Sequence, residues 1–168
     1  EGSNVVIQIN SYYKSYRVLT AAHLVSRSTD VMFKMYHLRT QQTRITWIDL
    51  ESDIALFKLH DALPALILVT QSYSPGGHLC VIGNPFGLGV SISCGVIAGP
   101  NRQGIGVNAV EDFIQSDAAV NLGSSGCVLV NVKVQLIGMI AALFTKEADI
   151  DAGVNFAVSA DLLIDRVQ

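Results

Sequence analysis

Short apolar or alternating runs recur between turn residues along nearly the whole chain, and this rhythm constrains the fold more than any other feature. The runs are NVVIQIN, YRVLTAAHLV, DVMFKMYHL, TRITWIDL, DIALFKL, LILV, HLCVIG, GVSISCGVIAG, CVLVN, KVQLIGMIAALF and GVNFAVS. Val, Ile, Tyr and Phe dominate them, and Gly, Pro, Asn, Asp and Ser separate them, which is the pattern of many strands. An all-β chain is predicted. The lack of long helical periods favours a sandwich or antiparallel barrels over alternating β and α units. One helix is predicted, at the C-terminus: SADLLIDRVQ opens on Ser159 as a cap and brings Leu162, Leu163 and Val167 near one face. SYSPGGH and AGPNRQGIG read as turns or loops, and the alternation of Ile45 and Trp47 reads as core or sheet face.

Composition narrows the partners. A chain of 168 residues suits one domain or two small subdomains sharing a core, and can bury about 70% of its unfolded surface. With half the residues hydrophobic and 15% charged, intrinsic disorder is not expected. Eleven Lys and Arg against fourteen Asp and Glu give a net charge of -3 without a basic run, so no nucleic acid is expected as partner. No apolar run approaches the ~18 residues of a membrane helix, and EGSNVVIQIN has neither the basic start nor the apolar centre of a signal peptide. No direct membrane insertion is expected, and the chain reads as a soluble segment cut from a longer protein. The three cysteines, Cys80, Cys94 and Cys127, lack metal-type spacing, and their odd number leaves at least one thiol unpaired. Buried apolar thiols are the favoured reading, with a bridge between Cys80 and Cys94 as the alternative.

The stretch QSDAAVNLGSSGCVLVN sets Ser124 and Ser125 between glycines. A serine hydroxyl attacks a carbonyl only when a base takes its proton and a third group holds that base in the correct tautomer. Of the four histidines, His23 follows a strand-like run and has small neighbours, Ala21 and Ala22, which suit an imidazole at the rim of a core. Asp53 opens DIALFKL, a strand whose apolar residues would anchor an orienting carboxylate. His23, Asp53 and Ser125 follow one another in the order His, Asp, Ser known for one group of serine hydrolases. Gly123 and Gly126 permit a tight turn that aims the amides of Gly123 and Ser125 at one point, where an oxyanion would form. On its own GSSG is an ordinary turn.

In order along the chain, VLTAAH, SDIALFKL, VIGNPFGLG, SCGVIAG, DFIQSDAAVNLGSSG and GVNFAVSADLL resemble the protease domain of the HtrA/Deg family of trypsin-like serine proteases, from His23 to about Leu163. The resemblance implies two perpendicular six-stranded antiparallel β-barrels, the first over about 1–68 and the second over about 76–158, with a terminal helix over about 159–168. The active site would lie in the cleft between the barrels. It assigns His23 as general base, Asp53 as its orienter, Ser125 as nucleophile, and the Gly123 and Ser125 amides as the oxyanion hole. In such folds the floor of the primary pocket lies six residues before the nucleophile, here Ala119. With no acid there, substrates with small or medium apolar side chains before the scissile bond are expected. Ile140, Ala141 and Ala142 would form the strand onto which an extended peptide adds. The resemblance further implies acyl-enzyme chemistry without cofactor or metal, unfolded proteins or peptides as substrates, a homotrimer, a PDZ domain downstream, and an extracytoplasmic (periplasmic or envelope) or organellar location.

Several positions depart from the family pattern. Cys127 and Val128 stand where Gly-Pro is usual, Leu122 replaces a proline, and Asn155 replaces a glycine near the pocket wall, which would narrow or plug it. SYYKS, between NVVIQIN and YRVLTAAH, is shorter than its family counterpart and predicts an abbreviated first barrel or absent loop residues. These departures motivate a second expectation, a catalytically inactive scaffold that binds a peptide, a partner or a metal ion. Isolated in sequence from acidic or thiol partners, His37, His60 and His78 are read as solvated or hydrogen-bonded rather than metal-ligating.

Overall fold

The computed structural model describes residues 2–10, 15–34, 40–59, 63–70, 72–121, 123–143 and 153–167. Among them the apolar runs become β1 (Val5–Asn10), β2 (Ser15–Ala21), β3 (Asp30–Lys34), β4 (Thr40–Asp49), β5 (Ile54–Lys58), β6 (Leu66–Ile67), β7 (His78–Gly83), β8 (Ser91–Arg102), β9 (Phe113–Ser116), β10 (Val128–Asn131), β11 (Leu136–Leu143) and β12 (Asn155–Ser159), followed by helix α1 (Ala160–Val167).

The first six strands form one sheet in the order β3-β4-β5-β2-β1-β6, and the last six close into a barrel in the order β10-β11-β12-β9-β8-β7. Among the described residues no ladder joins β3 to β6, so the first half carries the expected six strands as an open sheet. β1 and β2 pair from Val5↔Leu19 to Asn10↔Ser15. The two strands pair along their length, and residues 11–14, where most of SYYKS lies, are outside the described residues.

β5 is central to its sheet and buried on both faces from Ile54 to Phe57, with Lys58 exposed at its end. Ile54, Leu56 and Phe57 each contribute roughly 1.5–3 kcal/mol by such burial. That rigidity matters because Asp53 immediately precedes the strand. β4 alternates instead: Thr43, Ile45, Trp47 and Asp49 turn inward while their neighbours are exposed. Trp47 packs on the main core and Ile45 on Ala22, Val25 and Ala55.

The largest core cluster draws on both halves. Ile7, Leu19, Ala21, Ile54 and Leu56 of the sheet meet Phe113, Val128, Leu136, Met139, Ala141, Phe156 and Val158 of the barrel. The two halves thus share one apolar seam, and side chains at its rim are fixed relative to one another. α1 covers the barrel with buried Leu162 and Leu163, and Val167 packs alongside. Ser159 caps the helix as predicted, its Oγ accepting the Leu162 N–H at 3.1 Å.

Cys80 and Cys94 are cross-strand neighbours in the β7–β8 ladder and form a disulfide. The alternative pairing is therefore the one the chain adopts, because the register sets the two thiols opposite each other. Cys127 is free and buried, as the favoured reading had it.

Candidate active site

The β2–β5 ladder ends with Ala21 opposite Ile54, so the residues just beyond these two strand ends meet. After β2 the chain enters a 3₁₀ turn over Ala22–Leu24, which lifts His23 out of the sheet plane and leaves its side chain 48% exposed. Before β5, Asp53 adopts a left-handed φ of 59°, uncommon for a residue with a side chain. That conformation turns its carboxylate towards the histidine. Oδ1 accepts the His23 main-chain N–H at 2.8 Å, and Oδ2 lies 2.8 Å from the ring Nδ1. The Asp53 carbonyl accepts the Ala22 N–H at 3.1 Å.

With both carboxylate oxygens on one residue, the imidazole has a single orientation. An ionised Asp53 holds the Nδ1–H tautomer, so the lone pair is on Nε2. The hydrogen bond to Asp53 raises the His23 pKa above the ordinary histidine value; burial opposes this, and the carboxylate charge adds to it. We expect His23, followed by NMR through its ring resonances, to titrate above a free histidine. Substitution of Asp53 by Asn should bring it back down. Because the folded pKa is raised, the ion pair's stabilisation is fully present below the unfolded histidine pKa. It is lost as pH rises through the folded value.

The turn carrying Asp53 is braced from both sides. The Ser52 hydroxyl donates to Asp49 Oδ2, and the Asn108 side-chain amide, from the barrel half, donates to the Ser52 carbonyl at 3.2 Å. The Val110 N–H donates to the Glu51 carbonyl at 2.9 Å. Asn108 is itself held because the Glu111 carboxylate accepts the main-chain N–H groups of Ile105, Val107 and Asn108. Sequence reasoning missed Glu111 and Asn108. Their roles arise from a loop folding back on its own carboxylate, and an acid three to six residues from its donors looks like any surface charge.

The two serines of GSSG are not equivalent. Ser124 is buried; its Oγ accepts the Asn121 N–H, and its N–H donates to the Asn121 carbonyl at 3.0 Å. Ser125 is half-buried, and its hydroxyl makes no hydrogen bond among the described residues. Gly123 and Gly126 both take left-handed φ values, 86° and 82°. A Cβ on Gly126 would stand 1.9 Å from the Ser3 carbonyl oxygen, so only glycine fits there. Neither the Gly123 nor the Ser125 amide donates to a partner among the described residues. The next two amides are engaged: Gly126 N–H donates to the Ile140 carbonyl and Cys127 N–H to the Ser124 carbonyl, each at 2.8 Å.

Of the expected peptide-binding residues, Ala119 is exposed. Asn155 is buried beside it, with its side-chain amide donating to the Ala118 carbonyl at 2.9 Å. The amide thus folds onto the backbone next to Ala119. Ile140 is buried, and its N–H donates to the Cys127 carbonyl while its carbonyl accepts the Gly126 N–H, so it anchors the serine loop. Ala141 is fully buried, in the irregularity between Ile140 and Ala142. The Ala142 side chain, Leu122, His37 and His60 lie outside the described residues. His78 is exposed on β7, and among the described residues no group of three His, Cys, Asp or Glu could hold a metal ion.

A family model described as a trypsin-like peptidase domain matches residues 2–139. The chain is similar to a probable periplasmic serine endoprotease DegP-like of Buchnera aphidicola subsp. Schizaphis graminum, with 33% identity over 165 residues, covering 96% of this chain and 34% of the relative. It is likewise similar to the periplasmic serine endoprotease DegP of Escherichia coli K12, with 32% identity over 165 residues and the same coverage. Among solved structures, the HtrA-type protease AlgW with a decapeptide superposes with a TM-score of 0.87 at 32% identity, over 98% of this chain and 50% of that one. The chain thus spans about a third of the length of the two endoproteases it resembles.

Proposed function

Because the chain belongs to the trypsin-like peptidase family, we propose that it is a serine endopeptidase domain of HtrA type, acting on unfolded proteins and peptides through an acyl-enzyme. The observation that carries this reading is the two-point grip of Asp53 on His23, which leaves Nε2 as the available base. In the first step Nε2 takes the Ser125 proton while Ser125 Oγ attacks the scissile carbonyl carbon. The amides of Gly123 and Ser125 receive the developing oxyanion. Collapse of the tetrahedral intermediate breaks the C–N bond, and the His23 imidazolium gives its proton to the departing amine. Water then repeats the sequence on the ester, regenerating Ser125. A neutral His23 is required at the start, so activity falls on acidification through its raised pKa.

Ala119 and the Asn155 amide offer no charge to pair with a basic side chain, which supports cleavage after small or medium apolar residues. The two relatives are named as periplasmic endoproteases, and a Cys80–Cys94 bridge suits an oxidising compartment; both support an extracytoplasmic location. Homotrimeric assembly and a downstream PDZ domain belong to the same proposal through the HtrA resemblance. The inactive-scaffold reading has one observation in its favour: among the described residues no hydrogen bond joins His23 to Ser125. Such bonds often tighten only when substrate binds.

Digestion of an unfolded model protein such as casein, with cut sites mapped by mass spectrometry, tests the reading. Cuts after Ala, Val and similar residues are expected. Cuts after Lys or Arg would overturn the specificity, and no cuts would favour the scaffold.

A further inference from the structure

Ser3 precedes β1 and belongs to no motif, yet it is 94% buried and every polar group it has is engaged at the seam between the halves. Its N–H donates to the Ser125 carbonyl at 2.8 Å. Its carbonyl accepts the hydroxyl of the buried Thr20 at 2.8 Å, on β2 and three residues before His23 in the turn that follows. Its Oγ accepts the Asn84 N–H at 2.9 Å, at the end of β7, and the Cys127 S–H at 3.3 Å. Burial raises the Cys127 thiol pKa, with the Ser3 and Ser124 side chains opposing, so the proton that makes this bond is retained.

These contacts converge on one peptide unit. The Ser125–Gly126 peptide is held at its oxygen by the Ser3 N–H and at its nitrogen by the Ile140 carbonyl, so its plane cannot rotate. Two residues beyond Ser125, Ser3 Oγ holds the Cys127 side chain. The surrounding space is closed. A Cβ on Gly83 would lie 1.9 Å from Cys127 Sγ and 2.9 Å from Ser3 Oγ, and a Cβ on Gly2 would lie 2.9 Å from the Ser125 carbonyl oxygen. Cys127, which departs from the family pattern, thus has a partner in this chain.

We propose that Ser3 is a positioning residue for the nucleophile, its hydroxyl tying the Ser125 loop at Cys127 to the end of β7 while its main chain joins that loop to β2, the strand that leads into the His23 turn. It touches no substrate and acts only through Ser125. The proposal rests on the peptidase reading for its effect on rate, and its effect on the loop can be read without catalysis.

The test compares the parent, Ser3→Ala, Cys127→Ala and the double variant. Acylation by a fluorophosphonate and hydrolysis of a peptide substrate give rates; amide hydrogen exchange of the folded proteins gives loop order. Ser3→Ala should lower kcat and the acylation rate on the order of 10- to 100-fold, with KM within about twofold, because small displacements of a reacting atom act on the transition state. The Gly126 and Cys127 amides should exchange about tenfold faster, while central β5 amides keep their protection. Because Ser3→Ala and Cys127→Ala remove the same bond, their effects should be less than additive in the double variant. Unchanged loop exchange in Ser3→Ala, an equal loss of protection throughout the core, or strict additivity would overturn the proposal. A parent that never acylates would overturn the peptidase reading instead, and the exchange comparison would still decide the role of Ser3.

Discussion

Replacing Ser125 with alanine is expected to reduce peptide hydrolysis by on the order of 10⁶, measured as kcat on a quenched fluorescent peptide. The size follows from the environment of the loop. Ser124 cannot substitute, because its oxygen already accepts from Asn121 and the side chain is buried. Losing one hydroxyl from a half-buried position leaves no stranded polar partner, so the variant should melt within a few degrees of the parent. KM should change little, since no binding contact depends on the Ser125 hydroxyl. A Ser125→Ala protein with a tenth or more of parental kcat would show that the chemistry runs elsewhere.

Substituting Asp53 with asparagine is expected to lower kcat by on the order of 10⁴ while the fold is kept. Both carboxylate oxygens accept from His23, one from the main chain and one from the ring. An asparagine can accept through one of these positions only. If its oxygen keeps the main-chain N–H, its NH₂ faces Nδ1 and donates to it. The ring then carries its proton on Nε2 and has no lone pair for Ser125. Residual activity should rise with pH into the alkaline range, where hydroxide replaces the missing base. Loss of the hydrogen bond that raises the His23 pKa should appear in the same variant as a lowered histidine titration. A parental rate with an unshifted histidine would contradict the two-point grip.

What was legible in the sequence is what repeats or what chemistry forces. Alternation and turn spacing gave the strands, because burial on one face imposes a period of two. The Ser159 cap and the apolar face of the last helix were likewise readable. His23 and Asp53 were paired by their order along the chain and by the HtrA resemblance, and the β2–β5 register explains why they meet. The Cys80–Cys94 bridge was one of two readings, and only the β7–β8 register decides it. That Ile140 bonds the serine loop through its main chain was not legible, because a strand's pattern does not say which groups its edge is paired with. Ser3 was invisible for a different reason: its partners Thr20, Asn84, Ser125 and Cys127 are scattered along the chain and meet only when the two halves close.

Exposure of the folded parent to a fluorophosphonate, followed by peptide mapping of the adduct, tests the central claim most directly. The account predicts one phosphonylated residue, Ser125, with labelling that rises with pH through the raised His23 pKa and disappears when the protein is denatured first. No adduct on the folded protein, or an adduct on Ser124, would contradict it.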